Sequence, residues 1–103
     1  MKTAFMAAAA ASLVALAAPA HSQSTKVAIG ISGWTGFAPL TLAKAVGLFE
    51  KNGLDVTLKK VPQKDRHLAL ASGDIQCAAT TVETWVVWNA AGVASKQLFQ
   101  LDK

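Results

Sequence analysis

The strongest constraint on this 103-residue chain is an alternation: from Lys26 onward, apolar runs of strand length take turns with helix-period segments, and glycines fall between them. Such alternation predicts βαβ units, and therefore a parallel sheet with helices packed on it. Lys26–Ile31 is the first expected strand, with Val27, Ile29 and Ile31 on one face and the small Ala28 and Gly30 on the other. A glycine-bearing loop, Ser32 to Phe37, leads to Pro39, which suits the first turn of a helix because its missing N–H costs nothing there. Leu42, Ala45, Val46 and Phe49 then recur at the spacing of one helical face, expected to pack on the sheet. Gly47 is expected to end the main helix, and residues 48–53 to form a last turn closed by a left-handed glycine.

Leu54–Val61 alternates apolar and polar residues, which predicts an outer strand with one solvated side. Pro62 stops it, Lys64–Ser72 reads as a short helix, and Gly73 falls at its C-terminal cap. Ile75–Ala79 carries no charge, as expected of a third strand covered on both faces. Thr80, Thr81, Val82 and Glu83 match a capping box and predict a helix from Thr81 to about Ala91, apolar nearly all round and in need of cover on its far side. Gly92 ends that helix, and Lys96–Leu101 is expected to begin a fourth strand.

The first residues carry a different message. Met1, Lys2 and Thr3 give a positive start, Ala4–Ala17 an apolar run, and Ala18-Pro19-Ala20 the small-x-small form that a signal peptidase accepts. Residues 1–20 are thus expected to be a signal peptide cleaved near Ala20, with a second possible cut after Ser22. The run is Ala-rich and shorter than the roughly 20 strongly apolar residues a spanning helix needs, so the mature chain is expected in the periplasm and not spanning a membrane. The lone cysteine, Cys77, lies far from the cut, in an apolar run, and reads as a buried small hydrophobe rather than as a lipid-anchor site or reactive thiol.

Ten Lys and Arg, Lys2 among them, stand against six Asp and Glu, and they are spread along the chain with no basic block. That distribution argues against nucleic-acid binding. His21 lies near the expected cut and His67 stands on a charged helix beside Lys64, Asp65 and Arg66, so neither has a metal-ligand partner at useful spacing. No nucleophile and base are suggested as a pair, so the residues predict neither metal nor cofactor nor catalysis.

Ligands of open α/β sheets bind beyond the carboxyl ends of the strands, where loops feed helix N-termini. Two such places are legible. Trp34, Thr35, Gly36 and Phe37 follow the first strand: the glycines let backbone approach a ligand, and Trp34 and Phe37 offer an apolar wall, or else pack inward. Thr80 and Thr81 follow the third strand, where hydroxyls and amides converge, although at least one of them is expected to serve its own helix. Glu83 is expected to cap, and Trp85 and Trp88 to pack in the core or against another lobe.

The string Gly33-Trp34-Thr35-Gly36-Phe37-Ala38-Pro39-Leu40, then Leu42-Ala43-Lys44, then Gly47 through Val56, resembles the solute-binding proteins of the nitrate, sulfonate, taurine and bicarbonate ABC importer family. Ala71-Ser72-Gly73-Asp74-Ile75 is a weaker echo. The resemblance implies a type II periplasmic binding fold, two doubly wound α/β lobes closing on a solute. Residues 21–103 then correspond to a partial, incomplete first lobe. It also implies a small, anionic or sulfonate-like solute and an inner-membrane permease as partners. Any Arg or Lys that neutralises the anion is expected from the second lobe. A thiamine-pyrimidine precursor synthase of the same fold is the alternative, disfavoured by the leader and by the single cysteine; an inactive fragment is the third reading.

Overall fold

The computed structural model describes residues 23–102, and the predicted signal peptide lies outside them. Three parallel strands form the sheet: β1 (Thr25–Ile31), β2 (Leu54–Lys60) and β3 (Cys77–Ala78), in the order β2-β1-β3. A 3₁₀ turn, Thr35–Phe37, runs into α1 (Ala38–Ala45), which is followed by α2 (Leu48–Lys51), and α3 (Gln63–Ser72) and α4 (Val82–Ala90) come later. This is a small α/β lobe built from βαβ units, as the alternation predicts.

The register is continuous from Thr25 opposite Leu54 to Ile31 opposite Lys60. β2 is an edge, and its Val56 is buried while Asp55, Thr57 and Lys59 are exposed, the pattern expected of an outer strand. The third strand is shorter than expected, because the Gln76 side chain takes over part of the ladder. Its Oε1 accepts from the Ala28 amide at 2.8 Å while the Gln76 backbone N–H donates to the Ala28 carbonyl at 2.9 Å.

Parallel crossovers are right-handed. A step from β1 out to β2, followed by a return past β1 to β3, therefore puts the connecting helices on opposite faces. On one face Ile29, Ile31 and Val56 pack with Leu40, Phe37 and Ala79, and Phe49 joins from α2. On the other, Gly30 lies under α3: a side chain begun there would meet Ile75 Cδ1 at 2.6 Å and the Arg66 stem at 3.7 Å.

Three expectations need correction. Leu42 and Val46 do not face the sheet; they are 63% and 60% exposed. Gly47, at φ 75°, ends α1, so Leu42 and Phe49 belong to two helices and their spacing no longer defines one face; Leu40 is buried instead. The expected capping box does not form, and the helix starts one residue later than its pattern places it. α4 has Thr81 as its N-cap, with no side-chain cap bond, and Thr81 meets the Thr84 hydroxyl at 3.0 Å, leaving Glu83 exposed. Lys96–Leu101 forms no strand. The Ser95 amide donates to Asn89 Oδ1, Trp85 Nε1 donates to Ser95 Oγ, and Leu101 packs against the core, which leads this segment away from the sheet edge.

Candidate functional site

In a β2-β1-β3 order the connection leaving β1 and the one entering β3 diverge, so the crevice at the carboxyl ends of these two strands is the topological switch point. The loop after β1 and the turn after β3 border that crevice. They are the two segments, Trp34–Phe37 and Thr80–Thr81, that the sequence singles out.

Phe37 lies at 3% exposure in the core cluster, with Trp34 set edge-on against it at a centroid distance of 4.9 Å. Trp34 itself is 50% exposed. Gly36 lets the indole lie where it does: a Cβ at this position would fall 2.1 Å from the Trp34 ring and push it aside. The aromatic pair thus packs partly inward, and the small residue serves the indole. Thr35 and Gly36 turn toward an open depression of ≈ 280 Å³ shared with Pro39, Leu101 and Asp102. Gly33, by contrast, lines a second depression of ≈ 350 Å³ with Ile31, Ser32, Lys60, Val61 and Pro62.

The residue that joins the two candidate segments is one that the sequence shows only as a neighbour of His67 on a charged helix. Arg66, on α3, is 0% exposed. Its Nε donates to the Val61 carbonyl at 2.8 Å and its Nη1 to the Ala79 carbonyl at 2.6 Å, bracing the segments that leave β2 and β3. Its guanidinium carbon stands 5.6 Å from the centre of the Phe37 ring, close enough for cation–π attraction. Phe37 and the foot of the Thr80–Thr81 turn are therefore held together through one side chain. The arginine departs from the pattern of its helix, occupying the stripe continued by the half-buried Ala69 and Leu70, opposite the bare Gly30. A charge on a sheet-facing stripe across from a glycine is the signal that identifies it.

Burial lowers the Arg66 guanidinium from its usual value, because desolvation penalises the charged form. Among the described residues no carboxylate forms an ion pair with it. Its Nη2 is buried without a hydrogen-bond partner, and so is Thr80 Oγ1 on the adjoining turn. Buried donors of this kind are uncommon and costly. Thr81 sits with its hydroxyl against that of Thr84, at the start of a helix whose first amides receive no side-chain cap.

His67 is not a lone surface residue. Its ring stacks on Trp88 at 6.0 Å with a 27° interplanar angle, and Trp88 is buried, as the sequence anticipates for that tryptophan. Cys77 is half-buried and packs against the core cluster, in line with its reading as a small hydrophobe. No helix among the described residues is long and apolar enough to cross a membrane.

Residues 34–101 fit a family described as NMT1/THI5 like, a span that starts at Trp34 and includes both candidate segments. No curated protein and no solved structure matches the chain.

Proposed function

The chain belongs to the NMT1/THI5-like family, and from that premise we infer that it is a lobe of an extracytoplasmic solute-binding protein that delivers a small molecule to an ABC permease. The family takes in both importer binding components and thiamine-pyrimidine synthases, so the choice between them rests on this chain's own residues. The observation that carries the binding reading is the convergence of Phe37, Arg66 and the Thr80–Thr81 turn at the switch point of a parallel sheet. That is where such sheets take ligands, and the groups assembled there bind and orient.

In this reading Trp34, Thr35 and Gly36 form one wall of the site, backed by the buried Phe37, and Thr80 and Thr81 its polar floor. A second lobe closes over the solute by hinge motion. The protein acts by binding without chemistry, after export to the periplasm and removal of a leader near Ala20. The solute is a small anion of the sulfonate, nitrate or bicarbonate type.

A thermal-shift screen of the purified chain against taurine, alkanesulfonates, nitrate, bicarbonate and pyrimidine precursors tests the reading, since a ligand that prefers the folded state raises its melting temperature. A saturable rise with one of the anions supports it. A rise with pyrimidine precursors alone favours the synthase branch, and a cooperative melt that no solute moves contradicts binding by this chain. N-terminal sequencing of periplasmic material checks the cut near Ala20.

A further inference from the structure

We propose that Arg66 is the counter-charge of the bound solute, holding an oxyanion head group, carboxylate or sulfonate, together with Thr80 and the amino end of α4. The inference deepens the solute-binding reading and rests on it. It reverses the expectation that the neutralising cation comes from elsewhere.

A fully buried guanidinium is expensive to desolvate unless an anion compensates it. Arg66 is shielded from solvent and touches two carbonyls and an aromatic face, with no ion-paired carboxylate among the described residues. Two carbonyl bonds offset part of the cost. They leave one terminal nitrogen, Nη2, with its donors unused.

Nη1 is anchored to the carbonyl of Ala79, the residue before Thr80, so the guanidinium sits at the foot of the turn that carries the other unused buried hydroxyl. That turn opens α4, nine residues long, whose N-cap Thr81 spends its hydroxyl on Thr84 and makes no cap bond. A planar guanidinium, a hydroxyl and helix-start amides make a donor set suited to an oxyanion. Nη2 and Thr80 Oγ1 are both out of contact with solvent, so the head group reaches them only when the Thr80–Thr81 turn shifts.

The test uses the full chain and four probes: acetate and methanesulfonate, and their neutral isosteres acetamide and methanesulfonamide, with chloride at matched ionic strength as the baseline. Melting temperature and the side-chain N–H resonances of Arg66 are followed together. The proposal expects the two oxyanions, and neither amide, to raise the melting temperature saturably and to move the Arg66 resonances. Which of the two binds more tightly distinguishes a carboxylate from a sulfonate site. In Thr80→Val the affinity falls about tenfold, as for loss of a hydrogen bond to a charged group. In Arg66→Gln the anion-dependent rise disappears, whereas Arg66→Lys, which keeps the charge and gives up the two-carbonyl brace, retains a preference for anions. A purely structural Arg66 would lower the melting temperature when mutated and leave the anion-dependent rise intact, which overturns the proposal. Amides that bind as well as the anions overturn it too while leaving the solute-binding reading standing. If no probe moves either signal, the proposal falls, and the solute-binding reading stands or falls with the wider solute screen. Should Arg66→Gln fail to fold, the resonance titration and Thr80→Val still decide.

Discussion

The two faces of the sheet are built on different principles. Under α1 and α2 lies a dry cluster, Ile29, Ile31, Leu40 and Val56, with Phe37 at its carboxyl end, the kind of packing that stabilises a fold and needs nothing further. Under α3 the sheet meets Arg66 and Ile75, with His67 stacked on Trp88, and three buried polar atoms on or beside that face, Arg66 Nη2, His67 Nδ1 and Thr80 Oγ1, have no partner. One face carries stability and the other carries unspent hydrogen-bonding capacity. Unspent capacity next to a switch point is what a binding site looks like before its ligand is considered, and the contrast says where substitutions should hurt the fold and where they should hurt function.

The largest effect is expected on the dry face. Phe37→Ala removes a buried ring from that cluster and a cation–π neighbour from Arg66, and large-to-small changes of this type cost about 3–5 kcal/mol. Urea unfolding followed by circular dichroism reads the loss; a cost near zero would show that the two faces are not energetically distinct.

On the other face Arg66→Met is the sharper probe. Removing a buried charge that has no ion-pair partner relieves its desolvation cost, and the lost carbonyl bonds work against that gain. The net change in stability is expected to stay within about 1 kcal/mol, while solute binding is lost. A variant that binds normally would erase the contrast.

Gly73→Ala is intermediate. Gly73 closes α3 at φ 80°, and a residue with a Cβ pays about 1–2 kcal/mol there. The melting temperature should fall with the solute affinity unchanged, because the site lies at the opposite end of the strands.

Glu50→Gln is the smallest. The Lys44 ammonium, hydrogen-bonded to Glu50, and a backbone hydrogen bond hold that carboxyl below its ordinary value of 4.5. A carboxyl depressed in the folded state stabilises it above the unfolded value, and that contribution drains away as pH falls through the lower, folded value. Acid titration of stability should therefore be slightly flatter in Glu50→Gln below pH 4.5, with no difference near neutrality beyond the loss of an exposed pair.

What could be read from the residues follows the same division. Strands β1 and β2 and the glycine caps at 47, 53 and 73 are local facts, set by period-two patterning and by positive φ, and they are legible. The face of α1 is not, because helical spacing holds only along one unbroken axis and Gly47 breaks it between Leu42 and Phe49. The cap of α4 shifts by one residue because two threonines stand side by side and either can start a helix. The expected fourth strand fails because strand formation needs a partner, and Ser95 is drawn to Asn89 and Trp85 instead. Both candidate loops are legible from fold logic. Arg66 is not: Lys64-Asp65-Arg66-His67 reads as one charged run, and the burial of its third member comes from how α3 packs on the sheet beside Ile75.

Backbone amide chemical-shift mapping with a solute that raises the melting temperature tests the central claim, that the switch point between β1 and β3 is the binding site. The account predicts saturable shifts concentrated at Gly33–Phe37 and at Thr80–Thr84. Shifts confined to Leu101 and Asp102, or to the amino ends of the strands, would contradict it.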